Sequence, residues 1–253
     1  MEECTAPAPW RLEGWAVLCF CLFRPSAAAT PPSPRFHYPA FGFPGRIGVL
    51  AAVRYYESPV GAYDEVFAAP GTVFTVPRRP WTVSQTITRM YVTSPHSAVC
   101  GRRNWGLPKM TADIAVQVGR RDSKARPREV SASLALGTRQ AWKLRVRPFG
   151  PAIPAATNAL GIRLAQVVFG GILTTPILAF GRIRLARLRE LRSFWPAMPA
   201  RSRIAPFLCL YVPRFRLYFP KPRFRPLRET PRVAGKSDAG DFDPTDIDPP
   251  HDN

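Results

Sequence analysis

Lysine is scarce in this chain. Of 36 basic residues in 253, only Lys109, Lys124, Lys143, Lys221 and Lys236 are lysines. Cysteine is sparse too: Cys4, Cys19, Cys21, Cys100 and Cys209 are odd in number, and none has CxxC spacing. That spacing suggests neither a zinc site nor a disulfide framework, so the expectation is buried reduced thiols in a cytoplasmic protein. Long apolar runs are nearly absent. Trp15 to Phe23 is too short to span a bilayer. Leu164 to Phe180 is uncharged but contains Gln166, Gly170-Gly171, Thr174, Thr175 and Pro176. These residues predict two short buried strands around a turn, not a spanning helix, so no membrane partner is expected.

Proline is abundant, at 30 residues, and it breaks helices and central strands. Short elements and many fixed turns follow. Hydrophobic residues make up 46% of the chain, enough for a sizeable core in one large domain. The net charge of +19 gives an anion-attracting surface. Its arginines are dispersed, with no basic helix and no finger spacing, so nucleic acid is not an expected partner.

Alternation of apolar and polar residues predicts strands at Trp10–Phe23, Ile47–Tyr56, Tyr63–Ala69, Thr82–Thr93, Ala112–Val118, Val130–Leu136, Trp142–Val146 and Phe207–Phe219. Arg182 to Leu191 reads as the best helix, with Ile183, Leu185, Leu188 and Leu191 set among arginines. Residues 1–9 read as a disordered lead, Pro25 to Pro44 as a surface loop, and 10–228 as the folded domain. Residues 229–253, with six aspartates after Lys236, read as an acidic disordered tail.

The candidate for chemistry is GRRNWGLPK, Gly101 to Lys109. A lone lysine follows a proline among apolar neighbours, next to two arginines and a tryptophan. A free lysine amine titrates near 10.4, and to be half neutral near pH 7 its pKa has to fall by about three to four, or about 4 to 5 kcal/mol. Desolvation by Trp105, Leu107, Pro108 and Met110 is one lever, and the charge of Arg102 and Arg103 is the other. The same arginines are candidates to grip a substrate carboxylate in bidentate fashion. A solvated turn lysine is the alternative reading.

The order WRLEGWAV, VRYYESPVGAYDE, MYVTS and GRRNWGLPK, over Trp10 to Phe219, resembles the acetoacetate decarboxylase family, especially its fungal and plant-like branches. The resemblance implies an α+β, mostly β fold, with antiparallel sheets closing into a cone-like barrel, a few peripheral helices, and Lys109 pointing into the interior. It implies that Lys109 forms a Schiff base with a small-molecule carbonyl substrate such as a β-keto acid, with Glu65 as its acid. Arg102, Arg103, Trp105, Tyr63 and Met110 become candidate substrate-binding residues. Tuning of the lysine by desolvation or a neighbouring cation is a known property of such enzymes and enters with the resemblance. No metal or organic cofactor is implied, since the lysine is the electron sink, and relatives form homo-oligomers. The chain departs from the family at Met110, where a second lysine is expected, and at Tyr55 and Tyr56, where a second glutamate is expected. An arginine expected ahead of the first strand has no clear counterpart near Gly14. Three readings therefore stay open: a Schiff-base lyase, a non-catalytic small-molecule binding protein on the same scaffold and, ranked last on the +19 charge, a basic protein of nucleic-acid or membrane surfaces.

Overall fold

A computed structural model describes residues 3–23, 46–70, 72–73, 84–119, 127, 129–136, 139–158, 161–193 and 204–226. The chain is organised around one long antiparallel sheet. Its strands are β1 (Trp10–Phe23), β2 (Arg46–Glu57), β3 (Tyr63–Ala69), β6 (Arg89–Val92), β7 (Lys109–Thr111), β8 (Asp113–Val118), β9 (Val130–Leu136), β10 (Arg139–Ala156), β13 (Leu178–Ser193) and β14 (Ile204–Phe219). They lie side by side in the order β7-β6-β3-β2-β1-β14-β13-β10-β9-β8, and only β6 and β7 run parallel. The sheet curls until β8 comes against β2, β3 and β6, making a nearly closed barrel. A smaller sheet packs on one side, formed by β4 (Thr72–Val73), β5 (Ser84–Gln85), β11 (Arg163–Val168), β12 (Gly171–Pro176) and β15 (Arg223–Pro226).

The central strands are buried on both faces, which is why their sequences read as nearly continuous apolar runs. On β1, Trp15, Val17, Cys19, Cys21 and Phe23 face the barrel interior with Leu134, Trp142 and Leu144. Each large apolar side chain fully buried there contributes about 1.5 to 3 kcal/mol relative to exposure. Trp10, Leu12 and Ala16, on the other face of β1, join a second core with Val53, Tyr55, Tyr63, Met90, Trp105 and Phe219.

Among the described residues there is one α-helix rather than several, and it stands where the sequence suggested a turn. Helix α1 spans Pro95–Trp105. The Ser94 side chain caps it by accepting from the Ser97 N–H, Pro95 opens its first turn, and Gly106 closes it at φ 65°. Arg102 and Arg103 occupy its last turn, where cations favour the helix dipole. A side chain at Gly106 would also strike Val168, its Cβ falling 2.5 Å from Cγ1.

The Arg182–Leu191 helix is corrected: the segment is strand β13, paired to β10 on one side and β14 on the other. Its Arg, Leu and Ala are good helix formers, but pairing on two edges overrides that weak preference. Glu190 gathers Arg145 at 2.7 Å, Arg192 at 2.8 Å and Lys143 at 3.4 Å across these strands. The expected strand at Thr82–Thr93 is split between the two sheets as β5 and β6; Thr82 and Val83 lie outside the described residues. The uncharged Leu164–Phe180 run is the β11–β12 hairpin, turning at Gly170 with φ 76°, followed by the start of β13. No helix among the described residues is long and apolar enough to cross a membrane.

Residues 3–9, read as a disordered lead, instead pack on α1. The Ala6 carbonyl accepts from Asn104 at 3.0 Å and from the Trp10 indole at 2.9 Å. The reduced-thiol expectation is corrected as well: Cys4 is bonded to Cys100, and Cys19 to Cys209. Cys19 and Cys209 are register partners on β1 and β14, a juxtaposition across 190 residues that no local spacing reveals. Cys21 stays free and buried, its thiol pushed up to about 12 by desolvation. Disulfides persist in oxidising compartments, so the cytoplasmic expectation loses the support it drew from reduced thiols. The Pro25–Pro44 loop and the tail at 229–253 lie outside the described residues.

Candidate active site

Lys109 is the first residue of β7 and lies beside Met90 of β6. Partners in a parallel pair share a face, so both belong to the second core, between the sheet and α1. The lysine therefore does not point into the barrel interior. Alternation sends the next residue, Met110, outward, where it is 42% exposed.

Lys109 is 4% exposed and Glu65 2%. The ammonium nitrogen lies 2.9 Å from Glu65 Oε2 and donates to Ser97 Oγ at 2.9 Å, with Tyr63 OH at the edge of reach at 3.5 Å. Tyr55 donates from its hydroxyl to Glu65 Oε1 at 3.3 Å. Tyr63 and Tyr55 stack with ring centres 4.7 Å apart. The Lys109 nitrogen sits 5.1 Å from the Tyr63 ring centre and 6.0 Å from that of Trp10.

Three elements make this cluster. On β3, Tyr63 and Glu65 are two apart and share the face turned to α1. On β2, Tyr55 pairs with Tyr63. On α1, Ser97 and Gly101 are four apart and lie on one side of the helix. A Cβ at Gly101 would lie 2.5 Å from Lys109 Cδ and 2.8 Å from Cε, so the glycine makes room for the lysine stem.

Burial alone drives the Lys109 amine down. The Glu65 charge, followed by Tyr63, drives it up further, and the net direction is above its ordinary value. Lys109 thus rests as an ammonium, opposite to the depressed amine that the sequence suggested. Burial also pushes Tyr63 up to about 12, with Lys109 opposing, and holds Tyr55 well above the usual phenol range.

The other expected residues divide. Trp105 is buried in the second core, edge-on to Trp10 at 5.1 Å and tilted over Phe219 at 4.6 Å, with its indole N–H on the Pro220 carbonyl. Arg102 and Arg103 lie on the exposed side of α1. Arg102 donates to the backbone carbonyl of Lys109 at 2.6 Å, so it holds the strand rather than charging the amine. Arg54 is forked onto Asp64 by two 2.7 Å hydrogen bonds, with both residues turned to the opposite face from Glu65. Ser97, Tyr55, Trp10 and Gly101 were not read as site residues. The Ser94-Pro95 helix start, with Ser97 and Gly101 spaced for one helix face, was the available signal. A cavity of about 470 Å³ lies elsewhere, lined by Pro9, Arg11, Glu57, Ser58, Pro59 and Tyr218. Among the described residues, no cluster of three or more His, Cys, Asp or Glu is placed to hold a metal ion.

No protein-family model matches the chain, and no curated protein matches it. Solved structures do. Acetoacetate decarboxylase from Legionella pneumophila superposes with a TM-score of 0.65 at 14% identity, over 88% of this chain and 90% of that one. The chain has the acetoacetate decarboxylase fold. The enduracididine biosynthesis enzyme MppR, complexed with pyruvate, shares this fold at TM-score 0.63 and 15% identity, over 87% and 91% of the two chains. An acetoacetate decarboxylase-like enzyme from Sphingomonas wittichii RW1 does so at 0.62 and 9%, over 89% and 95%.

Proposed function

We propose that this chain is a Schiff-base lyase acting through Lys109 on a β-keto acid or related carbonyl compound, with Glu65 as the proton-transferring partner. The observation that carries the proposal is the buried Lys109–Glu65 pair at 2.9 Å. Desolvation disfavours an ion pair, and moving the ammonium proton to the carboxylate leaves two neutral groups. That transfer frees the amine without needing a low pKa in the resting protein. The amine then adds to the carbonyl carbon. Glu65, now protonated, gives its proton to the departing hydroxyl, water leaves, and an iminium remains. The bond to the leaving carbon breaks with its electron pair flowing to the iminium nitrogen, giving an enamine. Protonation of the enamine carbon and hydrolysis return Lys109. Ser97 and Tyr63 supply hydroxyls beside the reacting nitrogen.

One fold neighbour is complexed with pyruvate, and the same protein with a condensation product of pyruvate and an aldehyde, which supports a small carbonyl ligand here. The lysine serves as electron sink, so the proposal invokes no cofactor. A homo-oligomer is part of the proposal, checked by light scattering of the purified protein. The disulfides favour an oxidising compartment over the cytosol.

The test is borohydride trapping with acetoacetate, pyruvate and neutral ketones, read by intact mass and peptide mapping. An adduct on Lys109, lost in Lys109→Met, is expected; no adduct with any of these compounds would overturn the reading. The second reading, a binding module, is favoured by the charged resting state of Lys109. It predicts ligand retention in Lys109→Met with no covalent adduct in the wild type.

A further inference from the structure

The charges around Lys109 select among carbonyl compounds. Its own charge is balanced by Glu65, whose Oε2 faces it at 2.9 Å and whose Oε1 takes the Tyr55 hydroxyl. Its remaining polar neighbours are the hydroxyls of Ser97, which is fully buried, and Tyr63. The cations that would receive a substrate carboxylate are turned elsewhere. Arg102 is exposed and bonded to the Lys109 backbone carbonyl, and Arg103 is exposed on the same helix. Arg54 is forked onto Asp64 on the opposite face of the sheet. The position after the lysine is Met110, which points outward. Among the described residues, Lys109 is the one cation at this cluster.

Resting on the Schiff-base reading, we infer that, among the carbonyl compounds it admits, the site favours those with no carboxylate beside the reacting carbonyl: a neutral 1,3-dicarbonyl or β-hydroxy carbonyl compound. A substrate carboxylate held near the iminium would be the second anion of a buried cluster whose one cation among the described residues is already matched. Like charges at short range in a desolvated site oppose each other, and hydroxyl donors do not supply the missing charge. A neutral compound leaves the cluster balanced. Its carbonyl and hydroxyl oxygens suit the Ser97 and Tyr63 hydroxyls, and Glu65 stands ready as base. With a β-hydroxy ketone, the iminium forms on Lys109 and Glu65 takes the hydroxyl proton. The carbon–carbon bond then breaks with its electron pair moving to the iminium nitrogen, and an aldehyde leaves. Glu65 returns the proton to the enamine carbon, and water hydrolyses the iminium.

The experiment measures trapping rates on Lys109 with cyanoborohydride for methyl acetoacetate, pentane-2,4-dione and acetoacetate. Each rate is divided by that of a free lysine model amine under the same conditions, and the acetone adduct of any decarboxylated acetoacetate is counted with the keto acid. The neutral compounds should be favoured by at least tenfold. Equal rates, or faster trapping of acetoacetate, would overturn the inference while leaving the Schiff-base reading intact. Absence of every adduct would overturn both. In Glu65→Gln the ratio should move at least threefold toward acetoacetate, whatever the absolute rates, and an unchanged ratio counts against the charge argument. Should that variant not fold, the wild-type ratio alone decides.

Discussion

Lys109→Met removes the one ion partner that a carboxylate almost wholly out of water has among the described residues. At 2.9 Å and an effective dielectric of about 20, the pair's attraction is on the order of 6 kcal/mol. Most of that offsets the cost of desolvating the two ions. Deleting one partner forfeits the attraction and leaves the other charge buried, so each single change should cost about 3 to 5 kcal/mol. Lys109→Met should lie at the upper end, because among the described residues Glu65 keeps the Tyr55 hydroxyl alone. Glu65→Gln should lie at the lower end, because Ser97 and Tyr63 still serve the ammonium. The double variant Lys109→Met/Glu65→Gln removes both charges of this pair and still offers Tyr55 an acceptor, so it should cost only about 1 to 2 kcal/mol. The coupling is then at least about 4 kcal/mol. Urea denaturation of the four proteins at pH 7 reads it directly. In thermal melts the single variants should lose about 6 to 20 °C, taking about 2 to 4 °C per kcal/mol for a chain of this size. Additive single effects below about 1 kcal/mol would refute the buried pair.

The pair also sets a pH window. The folded pKa of Lys109 is raised, so its stabilisation is fully present below the unfolded value near 10.5 and is lost as pH rises through the folded value. The stability difference between wild type and Lys109→Met should therefore be maintained from neutral pH to about 10 and shrink above it; a loss between pH 7 and 9 would indicate a depressed amine instead. Gly101→Ala places a methyl 2.5 Å from Lys109 Cδ. It should cost about 1 to 3 kcal/mol through overpacking and slow trapping at Lys109 at least tenfold, while helix content measured by circular dichroism is retained. Thiol titration of the unfolded, unreduced protein should find one reactive cysteine, Cys21, and all five after reduction. Reduction should lower stability by about 2 to 5 kcal/mol for each disulfide broken.

The long strands were legible because burial of both faces leaves an apolar run, or an alternation, that needs no partner to be read. Trp10–Phe23 was read with its bounds, and Leu164–Phe180 was resolved into a hairpin by its glycines and threonines. Arg182–Leu191 was misread because its residues favour helix, and the edges of β10 and β14 that claim it lie far away in sequence. Helix α1 was missed because, apart from Trp105 at its end, its buried side is built from Ser97, Ala98, Cys100 and Gly101, small residues that leave little apolar periodicity.

At the site the division is similar. Lys109 could be named from a scarce lysine and a proline step, and Glu65 from the family resemblance alone. Ser97, Tyr55 and Gly101 could not, because they meet the lysine only when α1 folds over β3 and β7. The amine's direction of titration was inverted for the same reason. Local sequence placed two arginines near Lys109, but strand alternation and helix facing turned them outward and brought in a carboxylate from β3. A mostly β chain with one conspicuous lysine follows from composition and side-chain periodicity, which are local properties. Which charge reaches that lysine follows from the pairing of distant strands, since an interaction that decays over a few ångströms depends on which strands are neighbours.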